Sequence, residues 1–192
     1  MAAYHLALFI HILAVIVAAG VTAVTKLAVG RRIRARTVGE ALEWHKLLMS
    51  SSRLYPICLA VFVLSGGYMM SVIRVSVWTT GFILAGLIGV VLLLASGIYL
   101  GTRGKAFQMA LEGMAANGAD QPLPRMAPPP LVMVLPMVNT GIALAVAFVM
   151  VMKTISLPIS LGVVAIGIVL GALAAPRPPK AAMARAAAAA EL

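Results

Sequence analysis

The side chains able to hold a metal or move a proton are few and scattered. The chain has three histidines, His5, His11 and His45, a single cysteine, Cys58, and twelve methionines. An imidazole can ligate a transition metal or a haem iron, and a thioether suits Cu(I). Spacing narrows these options. His5 and His11 are six residues apart, which on a helix is about 240° of rotation and about 9 Å of rise. They point in different directions, and His45 belongs to another segment, so two histidines of one chain do not clamp one metal. Met133 and Met137 are one turn apart without a third soft ligand at their level, and read as packing. Cys58 lies inside an apolar run and reads as a small buried hydrophobe. No P-loop, nucleophile elbow, or histidine and carboxylate pair at metal-binding spacing occurs. No metal site and no catalytic residue is assigned, and the chain reads as a non-enzyme.

His11 is the histidine with company. His11, Ala14, Ala18, Thr22 and Thr25 recur at steps of three or four and form one helical stripe of small or weakly polar residues. Such stripes let membrane helices approach and hydrogen-bond. With an outer boundary near Tyr4, His11 lies roughly 10 Å deep. The same arithmetic puts Gly66, Gly67 and Tyr68 at roughly 8 to 11 Å, Met69 at about 6 Å, and Gly86, Gly89 and Gly162 at roughly 8 to 12 Å. Two readings stay open. In one, Gly66, Gly67, Gly86, Gly89 and Gly162 permit close helix packing and His11 bonds a neighbouring helix. In the other, the glycines leave room for haem b, with His11 as axial ligand and Tyr68, Met69 or another subunit supplying the opposite face.

The elements that must position these residues follow from composition. Of 192 residues, 62% are hydrophobic and 10% charged, with a mean hydropathy of +1.07. That excludes an ordinary soluble domain, which is nearer a quarter charged. Five apolar runs are long enough to cross a core of about 30 Å, which takes about 20 residues. They cover residues 5–25, 54–73, 81–100, 131–152 and 155–175. The expected fold is an all-α membrane protein, a single five-helix transmembrane bundle over residues 1–175. Met1-Ala2-Ala3-Tyr4 carries no basic residue, so the first run is expected to remain as a helix rather than act as a signal peptide.

Thirteen of the fifteen basic residues fall on one side of these spans, leaving Arg74 and Lys153 on the other. The positive-inside rule then predicts an N-terminus outside and a C-terminus in the cytoplasm, in a bacterial inner membrane. No acidic residue lies within a span, which argues against a proton-coupled carrier. The net charge of +10 is concentrated at the ends of apolar runs, so the expected partner is a bilayer with anionic headgroups, not nucleic acid. Arg31, Arg32, Arg34 and Arg36 are the headgroup candidates. Other membrane subunits are a further expected partner. Residues 38–53 read as an interfacial helix anchored by Trp44. Prolines between Pro122 and Pro130 read as a stiff loop. The tail, 176–192, is too poor in large apolar residues to fold alone and reads as disordered or as a basic segment on the membrane surface.

Leu8-Phe9-Ile10-His11-Ile12-Leu13-Ala14, followed by the basic loop, Arg53 and Ser65-Gly66-Gly67-Tyr68-Met69, resembles a broad group of bacterial membrane proteins. The group holds an uncharacterised family of integral membrane proteins, the membrane domain of copper-resistance protein D, and the haem-binding protoporphyrinogen oxidase of the bacterial membrane. The resemblance covers about the first 100 residues and implies that His11 matches the first-helix histidine with which such oxidases hold haem. Those oxidases place a lysine after a tryptophan early in a later helix, whereas Trp78 here is followed by Thr79, Thr80 and Gly81. The uncharacterised family is the closer match, and it supplies no reaction.

Overall fold

Apolar runs of this length in a chain with few internal prolines fold as helices, because only a helix satisfies its own backbone in hydrocarbon. The computed structural model describes residues 2–76, 78, 80–124, 129–153 and 156–175. It contains six helices among them: α1 (Ala2–Arg34), α2 (Val38–Ser52), α3 (Leu54–Ile73), α4 (Gly81–Ala116), α5 (Pro130–Met152) and α6 (Leu157–Leu173). No strand occurs among the described residues; one isolated bridge joins Thr37 and Pro122. The tail expected to be disordered, 176–192, lies outside the described residues. Four helical stretches are long and apolar enough to cross a membrane, and the 17-residue α6 is a shorter apolar helix. At about 1.5 Å per residue, α6 is about 26 Å long.

Two helices exceed their apolar runs. The first span ends at Thr25, yet α1 continues through the basic residues to Arg34, 33 residues in all. The third ends at Leu100, yet α4 runs to Ala116, 36 residues in all. Hydropathy reports where the chain leaves hydrocarbon, not where its helix stops. Arg74 and Lys153, the two basic residues apart from the rest, cap α3 and α5 with φ of 54° and 48°. Each backbone N–H reaches back to a carbonyl, Met70 or Val149, and a cation there favours the negative end of the helix dipole.

The sequence predicts one bundle, and the chain divides into two compact units. The first holds residues 1–79 and 101–124. In it α1 turns Ala7, Ala14, Val21, Thr25 and Ala28 inward, a stripe of mostly small residues against α3, where Cys58 and Ser65 are buried. The hydroxyl of Tyr55 lies 3.0 Å from Thr22 Oγ1 and 3.3 Å from Thr25 Oγ1, tying the two helices. Beyond the apolar runs, Val38, Ala41 and Leu42 of α2 cluster with Leu111 of α4.

Thr37 starts α2 as N-cap, its hydroxyl accepting from the Glu40 N–H at 3.2 Å. The chain after α4 clasps this turn with backbone hydrogen bonds. Val38 N–H donates to Gln121 O (3.0 Å), Gly39 N–H to Ala119 O (2.9 Å) and Leu123 N–H to Arg36 O (3.0 Å). Glycine at position 39 eases this approach, since a Cβ would lie 3.2 Å from the Ala119 carbonyl oxygen, a tight contact.

The second unit holds residues 80–100 and those from 125 onward. Its tightest contact is between α5 and α6. A Cβ on Gly141 would collide with the Gly167 carbonyl oxygen, and one on Gly171 would lie 2.7 Å from Val138 Cα. Backbones this close exploit dispersion where hydrophobic burial gives no driving force. Ser96 Oγ of α4 donates to Asn139 Oδ1 of α5 at 2.7 Å, beside Pro136 inside that helix.

Candidate functional site around His11

His11 is half-buried between α1 and α3. Its Nδ1 lies 2.9 Å from Ser65 Oγ. The Ser65 hydroxyl has one proton, and it is donated to the Val61 carbonyl one turn back in α3. Ser65 Oγ therefore accepts, and His11 Nδ1 donates. That fixes the neutral tautomer with its lone pair on Nε2, for which no hydrogen-bond partner occurs among the described residues. A hydrogen bond at one ring nitrogen that orients the other is how ligating histidines are held.

The walls of this site are Phe62, whose ring centroid is 5.3 Å away, and Gly66, where a Cβ would lie 3.8 Å from His11 Cε1. Ser65 thus fixes the ring, and Gly66, the next residue of α3, lies beside its edge, where a methyl would make ordinary contact. The remaining expected residues distribute differently. A Cβ on Gly67 or Gly162 would meet nothing within 4 Å, so neither glycine is required for contact within its unit. In the second unit, a Cβ on Gly86 would collide with Met150 and one on Gly89 with Val146. Tyr68 is exposed, and Met69 stands one turn beyond Ser65. Among the described residues no hydrogen bond or ring contact joins Tyr68 to His11.

A second histidine site was not evident from composition. His45 is fully buried. Arg32 Nη1 lies 2.8 Å from its Nδ1, and its Nε2 lies 2.9 Å from Gly104 O in α4. A guanidinium only donates and a carbonyl only accepts, so Nδ1 carries the lone pair and Nε2 the proton. This is the opposite tautomer from His11. Phe107 closes the site, with its ring edge-on to His45 at 5.1 Å and under the Arg32 guanidinium at 4.9 Å. Burial, reinforced by the Arg32 charge, holds the His45 pKa below its ordinary 6.5, although the Gly104 bond opposes this. Desolvation also lowers Arg32 from its ordinary value. With both ring nitrogens used, His45 is a structural keystone. The signal was present in the sequence: Val38, Ala41, Leu42 and His45 sit at i, i+3, i+4 and i+7 on one face.

No family model, curated protein or solved structure matches this chain. Its chemistry must be argued from its own residues. Among the described residues no three of His, Cys, Asp or Glu gather as a metal site, and Cys58 is buried with a free thiol. The headgroup candidates divide. Arg32 is turned inward to His45 and Phe107, where its guanidinium supplies the donor that His45 Nδ1 accepts. Arg31 lies over Trp44 at 5.8 Å, Arg34 lines a cleft with Lys26, and Arg36 uses its backbone N–H to hold Glu40.

Proposed function

We propose that the chain is a multi-pass, non-enzymatic component of the bacterial cytoplasmic membrane. It crosses five times, with its N-terminus outside and its C-terminus in the cytoplasm, and packs against other membrane subunits. The observation that supports this reading is the outward display of large apolar side chains along helices of membrane-spanning length. On α1, Leu6, Phe9, Leu13 and Ile16 are 47–62% exposed. In water such surface would drive aggregation; in a bilayer or a subunit interface it is satisfied. A reporter active only in the periplasm, fused to the C-terminus, should stay silent, and the same reporter at the N-terminus should be active. The reverse pattern refutes the orientation.

A second reading is favoured by one specific observation, the His11 tautomer. Nε2 is presented with its lone pair, Nδ1–H is anchored to Ser65, and Gly66 lies beside the Cε1 edge of the ring. This donor set fits one axial position of a b-type haem, with His11 as the ligand and Ser65 orienting it. The group would supply a one-electron couple. It is also the residue to which the resemblance to haem-binding membrane oxidases points. Tyr68 and Met69 stay candidates for the opposite face. Protein purified after haem-replete expression should show a Soret band that His11→Ala abolishes and His45→Gln retains. A wild-type protein without Soret absorbance refutes the haem reading and leaves His11 as the polar joint between α1 and α3.

A further inference from the structure

We infer that Lys26, Gly30, Arg31 and Arg34 form a binding site for the phosphodiester headgroup of an anionic phospholipid. The inference rests on the membrane reading above. Lys26, Gly30 and Arg34 follow one another at steps of four, so they share one stripe of α1 over about 12 Å. With Leu27 and Arg31 they line a cleft of about 210 Å³. Its middle residue, Gly30, is exposed, and a Cβ there would meet nothing within 4 Å, so the space between the cations is open. Cations thus stand above, beside and below a gap one side chain wide.

Among the described residues no carboxylate pairs with Lys26, Arg31 or Arg34. Glu43 pairs with Lys46 at 3.3 Å, and Glu40 accepts from the Arg36 N–H. Arg31 is held over Trp44, an aromatic of the kind that sits at headgroup level. The negative end of the α1 dipole favours basic residues in its last turn. It does not account for Lys26, two turns earlier, or for the glycine between them. Leu27 decides what kind of anion fits. It is 55% exposed within the lining, and Lys26 directly follows the last residue of the first span, so apolar and cationic groups meet at one level. A lipid presents both a phosphate and an acyl chain there, whereas a free phosphate has no use for the leucine. Arg32, turned into the His45 site, is not part of it.

The test uses the full chain in neutral detergent, with binding of dioctanoyl phosphatidylglycerol read by native mass spectrometry and dioctanoyl phosphatidylcholine as the uncharged comparison. Wild type should retain the anionic lipid in preference. Each basic residue near a membrane surface contributes about fivefold in affinity, so the double variant Lys26→Gln, Arg34→Gln should bind about 25-fold more weakly. Gly30→Leu, which leaves every charge in place and fills the gap, should lose a comparable amount. Both sets of positions are exposed, and circular dichroism checks that helix content is kept; the double variant carries the test if Gly30→Leu misfolds. Equal binding by wild type and the double variant overturns the site. Full binding by a folded Gly30→Leu overturns the cleft, reducing the effect to diffuse charge. Displacement of the lipid by equimolar inorganic phosphate assigns the site to free phosphate instead and overturns the lipid assignment. A chain that fractionates without detergent would fail the membrane reading itself, a result distinct from all of these.

Discussion

Lowering the pH from about 7.5 to about 5.5 should destabilise this protein through His45. In the folded chain the ring is neutral, accepting from Arg32 at 2.8 Å and donating to Gly104 at 2.9 Å. A second ring proton would take the lone pair that Arg32 uses and set two cations against each other in a buried site. The folded pKa is therefore below 6.5. Between that lowered value and 6.5 the unfolded chain binds more protons, so the contribution is complete above about 6.5 and falls as the pH drops. If the folded ring stays neutral throughout, the loss over this interval is about 1.4 kcal/mol. The charged group facing the ring is Arg32, which stays protonated across the range, so the change belongs to His45.

The assay is reversible unfolding in mixed micelles, followed by circular dichroism at both pH values, for wild type and His45→Gln. Glutamine does not titrate and keeps a donor for Gly104 O. It should lower stability at the higher pH by about 1–3 kcal/mol, because a half-buried guanidinium loses its acceptor. Its further loss on acidification should be smaller than wild type's by about 1.4 kcal/mol. Equal losses in the two proteins would refute the assignment, since the pH response would then come from elsewhere.

Three further outcomes follow from the geometry. Gly141→Leu should destabilise by about 1–3 kcal/mol or more through overpacking against Gly167, whereas Gly67→Ala should stay within about 0.5 kcal/mol; detergent unfolding compares them. Asn139→Leu removes the acceptor of Ser96 and should cost about 0.6–1.7 kcal/mol in the same measurement. If the Soret band exists, Ser65→Ala should weaken haem retention about 10–100-fold without abolishing it, as loss of an orienting partner does; haem transfer to an apo-globin measures this.

The sequence made some elements legible and hid others for reasons that can be named. Residues 54–73 and 131–152 coincide with α3 and α5 to within a residue, because their ends are marked by Arg53, Arg74, Pro130 and Lys153. The far ends of α1 and α4 carry no such mark. Beyond Thr25 and Leu100 the side chains turn polar while the backbone stays helical, and only tertiary packing decides how far it continues. The pairing of His11 with Ser65 was half visible, as a polar stripe without its partner. His45 escaped because a histidine among Glu43, Trp44 and Lys46 looks solvated until the register of Val38, Ala41 and Leu42 is followed around the helix. Of the expected glycines, Gly86 and Gly89 lie against Met150 and Val146, whereas Gly67 and Gly162 have nothing within 4 Å of a Cβ. Glycine marks where another backbone could approach, and which one does, Gly141 rather than Gly67, depends on neighbours far away in sequence.

The backbone clasp between the α2 turn and the segment after α4 imposes an order on biosynthesis. The Val38 amide waits for Gln121, 83 residues downstream, and at about 5–20 residues per second that is on the order of 4–17 s of translation. During this interval α1 and α3 can already be joined by His11, Ser65, Thr22 and Tyr55, while the amides of Val38 and Gly39 are served by water. His45 likewise waits for Gly104 to emerge. The ribosome thus delivers the membrane pair first and its extramembrane fastening last, so a chain arrested near residue 100 would carry a paired α1 and α3 with the latch still open.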